Sequence, residues 1–378
     1  MGGTERTTVT VATGLTKYCN CRCYSVYTVG AETPMESCFH AELKWEKKED
    51  VGIIKDFIRE HQIDWIIDQG DFFLVPFFKS ATNGTNCKVA FVHHFEPGWE
   101  EHFLSFWGEM ASIISSKSVS QFARASLRTC LYPVVRWRYF RKLHKGYNSA
   151  YQNADKTVLL CKGFIPQYMT YGNLEDDKQF DVIPNGLSYE EYLPIEYLSE
   201  KKPVALIVSR LSDPPKRLSL ALQIWKEIKR CPEAKGWLLK IVGHGPDEKK
   251  YRQIINQQKI PDVSLLGRKQ PKAYYEEASI FLMTSRSEGW GLTLTEAQQF
   301  GVVPIAFNSY ASLEEIITDD EDGIVIPECD VKMYIDKLLR LMCDKKKREG
   351  MAIKGIENCQ RFSQEKIAMK WWKLLTNS

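Results

Sequence analysis

At 378 residues the chain exceeds one ordinary core and fits two domains. Its 44% hydrophobic and 26% charged residues exclude a collagenous or disordered chain. The net charge of +3 is uneven: Lys117 to Tyr147 holds eight Lys or Arg and no acid, so the rest of the chain is acidic. No apolar run reaches the ~18 residues of a membrane span, and the start lacks the apolar segment of a secretory signal. A cytoplasmic setting is therefore expected. Eleven cysteines, an odd number without zinc-like pairing, fit reduced thiols. Cys19, Cys21 and Cys23 alternate at strand period, but no fourth ligand follows at metal spacing.

In chain order, "MGGTERTTVTVATGL" reads as a Gly-rich turn followed by a helix with Val9, Ala12 and Leu15 on one face. The local alternative is a strand over "TTVTVAT", favoured by its β-branched alternation. Strands are then expected at Cys23 to Val29, Trp65 to Ile67, Val89 to His93, Thr157 to Leu160 and Asp181 to Pro184. Helices separate them, for example Val51 to Glu60 with Ile54, Phe57 and Ile58 on one face. The polar, turn-rich stretch from Gly186 to Pro203 reads as a linker. A second series follows: "PVALIVSRL", "WLLKIVGHG", "VSLLG", "IFLMTS" and "VVPIAFN", each with a helical stretch behind it. This alternation predicts an α/β protein of two doubly wound, Rossmann-like domains. Such a domain opens with a strand before its Gly-rich turn, so the first strand is expected to be missing from this sequence. The expected boundaries are 1–190, 191–358 and a final helix over 359–378 that crosses back to the first domain.

The most specific stretch is "SRSEGWGLTLTEAQQFGVVPIAF". Glu288 and Glu296 stand eight apart across a strand-to-helix turn that contains Gly289, Trp290 and Gly291. Glycines let backbone pass close to a ligand, and the helix start offers free N–H groups and a positive dipole end. That suits a diphosphate on the amides of Leu292 and Thr293. Glu296, a turn inside, is placed to accept from ribose hydroxyls, and Glu288 lies where a sugar would be.

These residues resemble the E-x7-E hallmark of family 4 glycosyltransferases, of the bacterial surface-polysaccharide type, which have the GT-B fold of two domains facing across a cleft. The chain is similar to that family over nearly its whole length: "GGTER" resembles its first loop, "IPNG" the end of its first lobe and "VSRLSDPPKRL" the start of its donor domain. The resemblance implies a retaining hexosyl transfer from a nucleotide sugar, UDP-linked, with Arg210 and Lys216 clamping the diphosphate as the anomeric bond breaks. It implies that Gly2 and Gly3 line the cleft, that Arg268 lies near the base, and that a histidine at a first-lobe strand end points at the donor sugar. In "KVAFVHHFEPG" that histidine is His94 by the following "FEPG", with His93 as the alternative if the strand turns it inward.

No metal or other cofactor is expected, since the two cations and the helix start can do a metal's electrostatic work. Asp320-Glu321-Asp322 matches D-x-D but sits in a polar turn, and "GHGPDE" and "GWGLTL" lack the third glycine of a dinucleotide fingerprint. In the basic segment 117–147, Arg138, Arg141, Lys142 and Lys145 share a helix face beside Trp137, Tyr139 and Phe140. Charge interleaved with aromatics is what a helix on an anionic membrane surface needs. A solvated basic face and a nucleic-acid patch are the other readings. The resemblance favours the membrane, because family members that extend lipid-linked glycans dock through the first lobe. The expected function is therefore peripheral, on the inner face of the cell membrane: hexose transfer to a lipid-linked glycan acceptor in surface-polysaccharide synthesis. The alternatives are a nucleotide-sugar epimerase or soluble-sugar synthase on the same fold, and a non-catalytic nucleotide-binding module.

Overall fold

The structure is a computed structural model that describes residues 3–27, 38–45, 51–103, 110, 118–213 and 215–377. It opens with helix α1 (Gly3–Cys19), so the helical reading of the first residues holds over the strand. Burial explains the outcome. Thr7, Val11, Ala12, Gly14 and Leu15 fall on one face and are buried, with Gly14 facing Ala368 near the chain's end. The β-branched threonines are accommodated because Thr7 and Thr8 turn their hydroxyls back to the carbonyls of Gly3 and Thr4. Since α1 runs through Cys19, the three cysteines do not share a strand face. The Cys23 thiol donates to the Ala12 carbonyl and the Cys19 thiol to that of Ala368.

Strand β1 (Ser25–Tyr27) occupies part of the stretch expected from Cys23 to Val29, whose last two residues lie outside the described ones. It pairs with β2 (Glu42–Lys44) in a separate two-stranded sheet and not with the larger sheet that follows. Next come α2 (Val51–His61), β3 (Trp65–Asp68), α3 (Val75–Ala81), β4 (Lys88–His93), α4 (Val119–Cys130), α5 (Tyr132–Asn153), β5 (Lys156–Leu159), α6 (Phe164–Gly172) and β6 (Phe180–Val182). Strands β3-β4-β5-β6 form one parallel sheet in that order. Interior β4 reads as a continuous apolar run because helices cover both faces, and Val89 to His93 are all buried.

The second sheet is larger. It is built from β7 (Val204–Val208), α7 (Leu218–Ile228), β8 (Leu238–Val242), α8 (Glu248–Gln257), β9 (Val263–Leu265), α9 (Lys272–Glu277), β10 (Ile280–Met283), α10 (Leu292–Gln299) and β11 (Val303–Asn308). After the short α11 (Leu313–Ile316), a sixth strand β12 (Ile324–Pro327) joins the five expected. Helices α12 (Val331–Cys343), α13 (Lys345–Cys359) and α14 (Gln364–Asn377) complete the chain. All six strands are parallel, in the order β12-β11-β10-β7-β8-β9. The chain starts at β7, builds outward through β8 and β9, then returns to add β10 on the other side. The switch point therefore lies between β7 and β10. Trp225, Tyr275, Phe281, Phe300, Phe307 and Tyr334 are fully buried around this sheet, and burial of each large apolar side chain contributes about 1.5–3 kcal/mol.

By contact the described residues form two units, one from Met1–Ser25, Ala31–Ala41 and Pro184–Ser378, the other from Val26–Gly30 and Glu42–Ile183. The opening helix thus groups with the second sheet through its packing on α14, although chain order places it with the first. The linker stretch also lies on that sheet's unit: the Leu187 amide donates to the Phe362 carbonyl at 2.9 Å and that of Leu193 to Gln299 at 3.2 Å.

Candidate functional site

In parallel α/β sheets, ligands gather beyond the carboxyl ends of the strands at the switch point, here the loops that leave β7 and β10. The two loops are tied together. The Arg217 guanidinium donates to the carbonyls of Thr284 and Ser285 at 2.8 and 3.0 Å, and the Thr284 hydroxyl donates back to Lys216 and Arg217 carbonyls at 3.1 Å. A backbone bond from Arg286 to Pro215, 2.8 Å, closes the set. Beyond β8, Gly243 has φ +144°, and a Cβ there would stand 1.8 Å from the Ser209 carbonyl oxygen, so no other residue lets this loop lie against the end of β7.

This scaffold brings two of the expected residues into contact. Lys216 Nζ, from the β7 loop, lies 2.6 Å from Glu288 Oε1, from the β10 loop, with side-chain exposures of 24% and 13%. Arg210 is exposed in the loop that leaves β7. Pro214, in the same loop, lies outside the described residues, as does Gly2. Gly291 adopts φ +82° as the N-cap of α10, a left-handed turn that swings the chain from the β10 loop into the helix. Leu292 and Thr293 are half-buried in its first turn, where helical N–H groups have no intrahelical acceptor. Gly289 is half-buried, whereas Trp290 is a core residue, 2% exposed and edge-on to Phe362 at 5.1 Å.

Glu296 is fully buried and encircled. Its Oε1 accepts from Arg6 Nη1 at 2.8 Å and from the Ser188 hydroxyl at 2.6 Å, and its Oε2 accepts from the Tyr275 hydroxyl at 2.8 Å. Burial and this carboxylate push the Tyr275 phenol well above its ordinary range, so it stays a donor. The linker is docked against the same helix: Gln299 Nε2 donates to the carbonyls of Tyr189 and Glu191 at 2.7 and 2.8 Å. At the helix start, a Cβ on Gly3 would lie 3.9 Å from Leu292, so the first turns of α1 and α10 adjoin. Arg6, Ser188 and Tyr275 were not among the residues singled out from sequence. Arg6 stood inside the quoted "GGTER", but its partner is 290 residues away and no spacing rule joins them.

The remaining expected residues belong to other elements. His94 follows β4, buried, with Nε2 at 2.5 Å from Gln69 Oε1. Burial pushes its pKa down to about 4, so the ring is neutral at pH 7. Its neighbour His93 turns into an aromatic cluster, 5.3 Å from the Tyr147 ring and 5.4 Å from that of Tyr168, and is pushed down to about 3 by burial and by His94. Arg268 is exposed after edge strand β9, two strands from β7. The Asp320 to Asp322 turn is held by protein partners: Asp322 is buried and accepts from the Thr318 amide and from Asn358, while Asp320 pairs with Lys337 and Lys347. Among the described residues no three His, Cys, Asp or Glu are grouped to hold a metal ion.

The basic segment forms α4 and α5, with Lys117 outside the described residues. Leu143, Tyr147, Ala150 and Tyr151 of α5 are buried, while Arg138, Arg141, Lys142 and Lys145 are exposed. Phe122, Leu127, Leu131, Val134 and Trp137 are exposed beside them, and Arg141 lies over the Trp137 ring at 5.3 Å. Among the described residues no helix is long and apolar enough to cross a membrane.

Fold and site together define a class. Residues 188–358 match the family model described as glycosyl transferases group 1, so this stretch is a glycosyltransferase group 1 domain. Over its full length the chain resembles HepE of Anabaena, solved in complex with UDP-glucose, at a TM-score of 0.74 and 15% identity, covering 100% of this chain and 97% of that one. The fold is GT-B, with two Rossmann-like domains. Among curated relatives, the chain is 31% identical over 197 residues to an exopolysaccharide phosphotransferase of Streptomyces coelicolor, covering 51% of this chain and 20% of the relative. It is 28% identical over 182 residues to the amylovoran biosynthesis glycosyltransferase AmsD of Erwinia amylovora, covering 48% and 50%. It is 24% identical over 200 residues, covering 52% and 55%, to a Campylobacter jejuni N-acetylgalactosaminyltransferase whose name specifies a glycan on PP-undecaprenol. The chain thus spans from about a fifth to about half the length of these relatives.

Proposed function

We propose that the protein is a retaining, family 4 glycosyltransferase that moves a hexose from a UDP-sugar to a lipid-linked glycan in surface-polysaccharide synthesis. The observation that carries this reading is the Lys216–Glu288 pair, 2.6 Å apart at the switch between β7 and β10, beside the start of α10. Loss of the diphosphate builds negative charge on its oxygens. Lys216, the exposed Arg210 and the amides of Leu292 and Thr293 supply fixed positive potential there. A divalent ion is then dispensable. Glu288, by holding Lys216, aims the ammonium, and its own carboxylate faces the sugar's hydroxyls. In the other unit, His94 is neutral with its Nε2–H held by Gln69, so its part is a hydrogen bond accepted from a sugar hydroxyl and not base chemistry. In front-face attack the departing phosphate takes the acceptor's proton. Gly2 and Gly3 give the phosphates close approach to backbone, and Arg268 serves the base.

The acceptor side draws on α4 and α5, whose exposed cations and apolar side chains have the composition of a surface that docks on anionic lipid. That supports a peripheral position on the cytoplasmic face of the membrane. Incubating the protein with a panel of nucleotide sugars, with and without undecaprenyl-diphosphate-linked glycans, tests the reading. The expected product is an α-linked hexose on the lipid-linked acceptor from an α-linked donor, without added metal. A released or rearranged free sugar would indicate the synthase or epimerase alternative.

A further inference from the structure

Directly after His94, in the loop that leaves β4, Phe95 is 36% exposed, with the Trp99 ring stacked on it at 4.3 Å between centroids and 25° between planes. An apolar ring placed there belongs neither to the core nor to the chemistry derived so far. We propose that the Phe95 ring, backed by Trp99, is the platform on which a sugar ring of the acceptor glycan stacks. The inference rests on the glycosyl-transfer reading above and gives the acceptor its place in the same reaction.

Three observations carry it. The loop is held still by three tyrosines. The Tyr147 hydroxyl of α5 accepts from the Gly98 amide at 2.9 Å and donates to the buried Glu100 Oε2 at 2.8 Å. Tyr139 donates to the Glu100 carbonyl at 2.9 Å, and Tyr171 of α6 donates to Glu101 Oε1 at 2.7 Å. Gly98 has φ +88°, and a Cβ there would stand 2.1 Å from the Tyr171 ring, so the loop lies tight against α6. A surface loop fixed before its ligand arrives loses little ordering entropy on binding. The ring also has a free face. Trp99 lies across one side of Phe95, and among the described residues no second ring or cation is stacked on it, whereas exposed Phe73 in the β3 loop has Lys142 4.8 Å over its ring. A pyranose presents axial C–H groups from one face, and their positive hydrogens suit the negative face of an aromatic ring. The position fits the reaction. The β3 and β4 loops meet at His94, where a Cβ on Gly70 would lie 3.6 Å from Cδ2, and the chain turns His94 inward and Phe95 out. The acceptor's hydroxyl must reach the anomeric carbon of the sugar assigned to His94. The ring that carries this hydroxyl therefore lies beside that sugar, where the next residue is Phe95.

Transfer kinetics of the full chain with an undecaprenyl-diphosphate-linked glycan test this, using F95A, F95L and F95Y, with the lipid-free glycan as a competing inhibitor. F95A and F95L are expected to raise the acceptor KM about tenfold while the donor KM stays within about twofold. F95Y keeps the flat ring and should stay within about threefold of the parent. Leucine matches phenylalanine in apolarity but not in planarity, so the contrast between F95L and F95Y reads stacking and not mere bulk. Inhibition by the lipid-free glycan should weaken by the same factor, which assigns the contact to sugar and not to the polyprenyl chain. An acceptor KM unchanged in F95L overturns the inference, as does a rise in donor KM alone, which would put the ring on the donor sugar. A factor seen with the lipid-linked acceptor and absent with the free glycan overturns it too, as does weaker sedimentation of F95L with glycan-free anionic vesicles, which would make Phe95 a membrane anchor. If the parent transfers hexose to no lipid-linked glycan, the transfer reading falls and this inference with it; if the parent transfers and F95L behaves like it, this inference alone falls.

Discussion

Lys216 is the residue whose loss should matter most in this unit. K216M removes the cation and leaves Glu288 as an unpaired, largely buried carboxylate, so kcat/KM for sugar transfer should drop by about 10²–10³, roughly 3–4 kcal/mol of transition-state stabilisation. Steady-state kinetics at saturating acceptor would show it, and a change of less than about threefold would remove Lys216 from the mechanism. The two histidines make a separate prediction. His94 is held down to about 4 and His93 to about 3, while the unfolded chain takes up these protons near 6.5. Between pH 6.5 and pH 4 the unfolded state binds more protons. Stability is therefore full above pH 6.5 and declines as pH falls, by about 1.4 kcal/mol per pH unit for each buried ring. Urea midpoints at pH 7.5 and pH 5 should separate, and H94Q should reduce the separation. A pH dependence unaltered in H94Q would contradict the burial of a neutral imidazole.

At the scale of elements, the turn into α10 and the successive helices α4 and α5 carry the sharpest expectations. Gly291 sits at φ +82°, where a Cβ would also lie 3.3 Å from Leu294. G291A should cost about 1–2 kcal/mol of stability. It should also weaken UDP, because the amides of Leu292 and Thr293 depend on that turn; thermal melts and calorimetry read the two effects. In these two helices, a W137S/L127S double variant should lower co-sedimentation with vesicles containing anionic lipid while leaving binding to UDP unchanged. Equal sedimentation would place membrane contact elsewhere. Elements of this kind were legible in the sequence wherever a periodic apolar run met turn residues: β7 to β11 stand where "ALIV", "LLKIV", "VSL", "IFLM" and "VPIAF" stand. The Lys216–Glu288 meeting was legible only as two loops at the ends of strands that later proved adjacent. Arg6 with Glu296 was not legible, because a contact across 290 residues leaves no periodicity and arises from packing of α1 on α14 and α10. His93 and His94 illustrate the same limit, since alternation offered both and only the aromatic cluster around Tyr147 and Tyr168 takes one of them inward.

For the whole molecule, two parallel sheets give the fold its class, and the six-stranded one brings Lys216 and Glu288 together where β10 returns beside β7. Sheet order, loop ties and the pairing of Lys216 with Glu288 are the features on which the proposed anionic leaving group rests. The most direct measurement of that claim is transfer of a radiolabelled hexose from its UDP donor to an undecaprenyl-diphosphate-linked glycan by the purified chain, compared with E288Q and K216M in metal-free buffer. Labelled lipid formed by the parent protein, and at least a hundredfold slower formation by both variants, is the predicted result. Equal transfer by all three proteins, or transfer that appears only when a divalent ion is supplied, would contradict it.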